Sequence, residues 1–200
     1  MATLVSRLPG KSPVETRRKA ELIDAAIAEI GAAGSLDVSV GRIAKRAGMS
    51  AALAFHYFGG KDALLLEALR HVLGQYGASV RQAVAEADGP RERARAIVRA
   101  SFGPQNFGAE TVSAWLNFYV FAYRAPQARR LLAIYHARLR SNLTHALRPL
   151  VGARAPAAAE RIGAMIDGFY IRATCTPRTD SGQSEAHVLA TLDDMLREVP

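Results

Sequence analysis

Residues 39–61, Ser-Val-Gly-Arg-Ile-Ala-Lys-Arg-Ala-Gly-Met-Ser-Ala-Ala-Leu-Ala-Phe-His-Tyr-Phe-Gly-Gly-Lys, constrain this chain more than any other stretch. Ser39 is an N-cap residue, its hydroxyl placed to satisfy a free N–H of a first helical turn. Val40, Ile43, Ala44 and Ala47 repeat at helical spacing and give that helix one apolar face. Gly48 stands where a helix C-terminus calls for a left-handed residue. Ser50 then caps a second short helix, over residues 51–57. Helix, tight glycine turn, helix is the pattern that sets a recognition helix in the DNA major groove.

Charge agrees with this reading. Between Val38 and Lys61 the chain carries Arg42, Lys45, Arg46 and Lys61 and no acidic residue. Each phosphate that such a surface neutralises releases counterions from the DNA. The whole chain has a net charge of +8 in 200 residues, and residues 1–61 hold nine Lys/Arg against five Asp/Glu. A basic helical hairpin packed on a core would show the same charges, so the wording of the motif has to decide.

Ile43-Ala44-Lys45-Arg46-Ala47-Gly48-Met49-Ser50, followed by Phe55-His56-Tyr57-Phe58-Gly59-Gly60-Lys61-Asp62-Ala63-Leu64-Leu65, resembles the signature of TetR-family transcriptional regulators. The resemblance implies an all-α fold, with a three-helix helix-turn-helix head and a C-terminal helical domain for ligand binding and dimerisation. The corresponding boundaries are a flexible basic arm at 1–14, a DNA-binding head at 15–61 and the body at 62–200. In the family the start of the first helix lies beside the DNA backbone, which implies phosphate contacts for Arg17 and Arg18. Lys61 resembles the family's phosphate-contacting lysine. With Ser39, Arg42 and Ser50, these residues form the expected backbone-contacting set. Ala51, Ala52, Phe55 and His56 form the groove-facing set. Alanine and phenylalanine can touch thymine methyls, and His56 can donate to a phosphate or a base edge. None offers a bidentate arginine–guanine contact, so DNA shape and the flanking elements must supply part of the specificity.

The remaining pattern is helical throughout. Thr16 is the expected cap of a first helix over 16–33, with Leu22, Ile23, Ala26, Ile27 and Ile30 on one stripe. Leu65, Leu69, Val72, Tyr76 and Val80 predict a long helix over about 60–87, and further helices follow over 91–103, up to Pro126, and over 127–148, 157–176 and 183–198. Residues 102–123 hold seven of the fourteen aromatics, and those from Trp115 to Tyr123 spread around a helix by about 200°, too wide for a one-sided surface helix.

Trp115, Phe118, Tyr119, Tyr135, Asp167 and Tyr170 form a second constellation. One reading is a core packed with rings. The other is a box for a quaternary ammonium cation, with aromatic faces and the Asp167 carboxylate supplying negative charge. Ala114-Trp115-Leu116-Asn117-Phe118-Tyr119, Arg138-Leu139-Arg140-Ser141-Asn142-Leu143 and Ile166-Asp167-Gly168-Phe169-Tyr170-Ile171-Arg172-Ala173 resemble the BetI branch of the TetR family, choline-sensing repressors of glycine betaine synthesis genes. The likeness runs from about residue 16 to 175. It departs at Phe169-Tyr170, where Leu-Trp is expected, and in the 177–186 loop. The resemblance implies a choline-like effector, operator DNA and a homodimer paired through 157–176 and 183–198. An Ala/Gly-rich face there, with Ile162, Met165 and Ile166, permits close helix approach. The runner-up is a regulator of efflux or catabolism that senses another apolar or cationic compound.

Other functions find little footing. His56, His71, His136, His145 and His187 include no pair at i, i+3 or i+4, so no helical metal site is seeded. Cys175 stands alone, which excludes an internal disulfide and fits a reducing cytosol. Gly60-Lys61 lacks the first glycine and the Ser/Thr of a phosphate-binding loop. No cofactor is expected. No apolar run reaches the ~18 residues of a membrane span, and the first thirteen residues lack the apolar core of a secretion signal. The expectation is a cytoplasmic, non-enzymatic DNA binder.

Overall fold

A computed structural model describes residues 12–175 and 180–197. Among them the chain forms helices α1 (Pro13–Ala33), α2 (Val40–Arg46), α3 (Ala51–Phe58), α4 (Lys61–Ala85), α5 (Gly89–Phe102), α6 (Ala109–Arg124), α7 (Pro126–Val151), α8 (Ala155–Cys175) and α9 (Ser181–Arg197), with a 3₁₀ turn at Gly152–Arg154 and no strand. None of these helices is long and apolar enough to cross a membrane.

The head is α1 to α3. Leu22, Ala26 and Ile30 of α1 are fully buried with Ile43 and Ala44 of α2, against Ala54 of α3. Burying one such Leu or Ile side chain is worth about 1.5–3 kcal/mol, and these few hold the short helices α2 and α3 together. Ser39 Oγ accepts from Arg42 N at 3.1 Å and Ser50 Oγ from Leu53 N at 3.2 Å, so both expected caps form. Gly48 adopts φ +64° and allows the turn between the two helices. At the other end the expectation changes. α1 begins at Pro13, not at 16, because Ser12 caps it by accepting from Glu15 N, and Pro13 occupies the first helical position, where no N–H is needed. Thr16 is therefore inside the helix and donates its hydroxyl to the Ser12 carbonyl. Of the arm expected at 1–14, residues 1–11 lie outside the described residues, and 13–14 belong to α1.

α4 leaves the head at Lys61 and runs through the body. Leu65, Leu69, Val72, Tyr76 and Val80 are all buried on it, as their spacing predicts. It packs against α1, α5 and α7. α6 is the central helix that its aromatics imply, burying Trp115, Phe118 and Phe121 and packing on α1, α7 and α8. α9 is joined to α5 by an Arg95–Asp193 ion pair. α8 requires a correction: Ile162 and Ile166 are fully buried within this one chain and cannot line a dimer contact. Its outward face instead carries Arg161, Ala164, Gly168 and Ile171, the last 53% exposed.

Candidate DNA-facing surface and effector site

On the head, α3 turns Ala54 into the core and leaves Ala52, Phe55 and His56 exposed, with Ala51 half-buried. Phe55 is 49% exposed. A large apolar ring kept in water on a helix with a basic neighbourhood is available for groove contact. Tyr57 and Phe58 pack against the core instead, and Lys19 lies over the Tyr57 ring at 5.5 Å. Lys61 forms the first residue of α4, half-buried, with no ion pair of its own among the described residues.

The arginines are less free than the sequence suggests. Arg17 and Arg18 both reach Glu21, at 3.6 and 3.0 Å, and Lys19 reaches Glu15 at 2.6 Å. Arg42 and Arg46 grip the two carboxylate oxygens of Glu29 at 2.8 and 3.1 Å. Glu29 is only 9% exposed. Its carboxyl is held below the usual carboxylate range, foremost by the Arg46 hydrogen bond, which together with Arg42 outweighs the cost of desolvation. Glu29 ties α2 to α1 and fixes both guanidinium groups. Sequence reasoning missed it; the available signal was a glutamate beside Ile30 on an otherwise apolar stripe.

In the body, four helices converge on one aromatic cluster. The i, i+4 spacing of Trp115 and Tyr119 puts both on one side of α6, with their rings 6.0 Å apart. Tyr135 of α7 meets Trp115 edge-on at 5.1 Å, and Tyr170 of α8 lies 6.4 Å from the same indole. Tyr76 of α4 closes on Tyr135 at 5.2 Å. The cluster is thus Trp115, Tyr119, Tyr135, Tyr170 and the unforeseen Tyr76. Phe118 is fully buried but makes no ring pair with the cluster among the described residues; it lies a turn short of Phe121 and serves the core.

Polar groups edge these rings. Tyr119 Oη donates to Asp167 Oδ1 at 3.2 Å and lies 2.9 Å from His136 Nε2. His136 Nε2 is also 3.4 Å from Asp167 Oδ2. On the opposite side Tyr76 Oη shares a hydrogen bond with Ser101 Oγ at 3.0 Å, and Tyr170 donates to the Ser101 carbonyl. Burial is the main cause that raises all four tyrosine pKa values. Tyr76 is pushed up to about 12, and Tyr119, Tyr135 and Tyr170 lie well above the phenol range, with the Asp167 charge contributing to each. The phenols therefore stay neutral and act as hydrogen-bonding rings. A cavity of about 580 Å³ between α4 and α7 reaches Tyr76 and Tyr135, and one of about 270 Å³ between α7 and α8 reaches His136 and Asp167. A further cavity of about 1010 Å³, lined by Lys19, Tyr57, Asp62, Phe121 and Arg124, opens beside the packed junction of head and body.

A capped helix-turn-helix on a basic head, joined by one long helix to an all-helical body, defines a DNA-binding transcriptional regulator. Comparison with known proteins specifies which kind. Residues 22–68 match the family described as bacterial regulatory proteins, tetR family, and residues 90–197 match the BetI-type transcriptional repressor C-terminal family. The chain is 52% identical over 163 residues to the HTH-type transcriptional regulator BetI of Brucella anthropi, covering 81% of this chain and 84% of that one. It is 49% identical to the protein of the same name in Agrobacterium fabrum, over 81% and 79% of the two chains. A transcriptional regulator from Pseudomonas aeruginosa PAO1 has the same fold, with a TM-score of 0.79 and 28% identity over 96% and 94% of the two chains. Another from Saccharomonospora viridis, solved in complex with choline, gives 0.78 and 22% over 92% and 97%. The chain belongs to the TetR family of transcriptional regulators, and its body is of the BetI type. The family's members are regulators rather than enzymes.

Proposed function

We propose that this chain is a homodimeric cytoplasmic repressor, released from operator DNA when choline or a close quaternary ammonium relative enters the aromatic cluster between Trp115, Tyr119 and Tyr170. The observation that carries this is the meeting of four rings from three helices around Trp115, with the Asp167 carboxylate at their edge, bound by the Tyr119 hydroxyl. Ring faces attract a desolvated cation by about 2 kcal/mol or more, and the carboxylate balances its charge. The choline complex of the Saccharomonospora regulator and the BetI name of the Brucella relative support the same chemistry.

Release follows from linkage: a ligand shifts the DNA equilibrium only by favouring a geometry that DNA disfavours. Two recognition helices must reach successive major grooves, roughly 34–36 Å apart. α4 begins beside α3 at Lys61 and carries Tyr76 into the cluster, so rings that part around a cation displace the helix that sets this spacing. The dimer forms through the outward faces of α8 and α9, Ile171 among them, and a monomer at micromolar concentration in sedimentation would contradict it.

The test is a calorimetric titration of choline against its uncharged isostere 3,3-dimethylbutanol, alongside release of a fluorescent fragment from the region upstream of the gene. Choline should bind more tightly and displace the DNA. Equal affinity would mean a pocket that reads shape alone, and would favour a sensor of apolar compounds.

A further inference from the structure

The cation site has a resident competitor. His136 Nε2 lies against the carboxylate at the cluster's edge: 3.4 Å to Asp167 Oδ2, and 2.9 Å to the Tyr119 hydroxyl that itself donates to Asp167 Oδ1. With a hydrogen on Nε2 the three groups form a closed set. The imidazole donates to Tyr119 Oη, and Tyr119 donates to the carboxylate. Histidine is the side chain whose charge changes between about pH 5 and 8. A second proton on this ring makes it an imidazolium facing Asp167.

We infer that effector binding is proton-linked: imidazolium at His136 and a quaternary ammonium compete for Asp167, so a cation enters as His136 gives up its proton. This rests on the cation-box reading above. The balance is simple. The imidazolium loses H⁺ to solvent, its charge is replaced by that of the ammonium, and Asp167 remains a carboxylate. A quaternary ammonium has no N–H, so it cannot donate to Asp167 beside a charged His136. It meets only the repulsion of a second cation within a few ångströms.

The surroundings single out His136. From α6 it faces Tyr119 and Tyr123, and from α8 Asp167 and Glu160; on its own helix Arg129 and Arg140 flank it. Burial keeps the Tyr119 phenol neutral. Glu160 is exposed, with no ion pair to His136 among the described residues. His136 is 42% exposed at its side chain, so a released proton has a path to water.

The experiment is calorimetry of choline on the full-length protein from pH 5.5 to 8, in buffers with different ionisation heats. Affinity should fall by up to tenfold per pH unit on the acid side, about the limit for one linked proton. The dependence of heat on buffer should report proton release on the acid side that diminishes as pH rises. His136→Gln keeps a hydrogen-bonding side chain without a titrating ring, and its choline affinity should be the same at pH 5.5 and 8. 3,3-Dimethylbutanol should release no proton from the unaltered protein. Choline binding that is flat in pH with no proton released overturns this inference and leaves the cation box standing. Persistence of the pH dependence in His136→Gln also overturns it, since the proton then lies elsewhere. Absence of choline binding at pH 8 overturns the cation box and this inference together.

Discussion

Gly31 on α1 lies directly against the backbone of Glu110 at the start of α6: a Cβ built on the glycine would sit 2.5 Å from the Glu110 carbonyl oxygen. No side chain fits in that gap, and the obstacle is backbone, which cannot swing aside. The head is therefore joined to the body in two places, through α4 and through this contact. α6 is also the helix that carries Trp115 and Tyr119, so the cluster and the head share one rigid element. Gly31→Ala should lower stability by about 1–3 kcal/mol, the usual cost of overpacking. It should also weaken operator binding in the ligand-free protein, because α1 must tilt away from α6. Thermal melts read with DNA anisotropy check both. A variant as stable as the parent would mean that α6 yields freely at its N-terminus, and the second joint would be no joint.

Lys61 and Arg42 separate by their partners. Lys61 has no ion pair among the described residues, whereas Arg42 is held by Glu29 at 2.8 Å. Lys61→Ala should reduce affinity for all DNA sequences alike and flatten the salt dependence by about one unit of slope, as expected for one phosphate contact. Arg42→Ala should flatten it less, because Glu29 already offsets part of its charge. Binding isotherms at several salt concentrations on specific and scrambled DNA distinguish the two. A change in base preference at constant slope would remove Lys61 from the backbone-contacting set.

Much of this was legible in the sequence, for definable reasons. The two serine caps, Gly48 and the α4 stripe are local signals, and local chemistry forms them. The expected start of α1 at 16 is late because Thr16 reads as a cap on its own chemistry, whereas Pro13 falls in the stretch expected to be an arm. Only the structure shows the Ser12 hydroxyl on Glu15 N, with Pro13 in the position that needs no donor. Trp115, Tyr119, Tyr135, Asp167 and Tyr170 stand out in the sequence through the density of rings and the resemblance of their segments to the BetI branch, and the structure brings the four rings together. Tyr76 and His136 were passed over because each looks ordinary on its own helix: one sits in an apolar stripe, the other beside a tyrosine. Glu29 acts across helices on Arg42 and Arg46, and Ser101 does so on Tyr76 and Tyr170 besides its bond to Ile97 within α5. No pattern within one helix encodes such a partnership.

The buried phenols make an alkaline prediction. Their pKa values are raised in the folded chain, so the stability they contribute is complete below about pH 10, the ordinary tyrosine value. It is lost as pH rises through the folded values, beginning with Tyr76 at about 12. In an absorbance titration Tyr76, Tyr119, Tyr135 and Tyr170 should ionise together with loss of helicity rather than before it. Reversible ionisation of these four in a fully helical protein near pH 10 would show that the cluster is open to water.

Trp115 is the ring on which the effector reading depends most. It is 4% exposed and touches Tyr119, Tyr135 and Tyr170, so it joins α6 to both α7 and α8. Its indole also offers the strongest face for a cation. Trp115→Ala should weaken choline binding by about 2 kcal/mol or more, roughly thirtyfold in Kd. The same change removes core packing at a cost of about 3–5 kcal/mol, so loss of binding alone would not identify a cation contact. Trp115→Phe resolves this. It keeps a ring and most of the packing but has a poorer π-face, and it should bind choline with intermediate affinity while leaving 3,3-dimethylbutanol nearly unaffected. DNA affinity without ligand should survive in the Phe variant, because the capped head is intact. If Trp115→Phe weakened choline and its neutral isostere equally, the indole would be filling space rather than reading charge, and the cation would have to be sought elsewhere in the body.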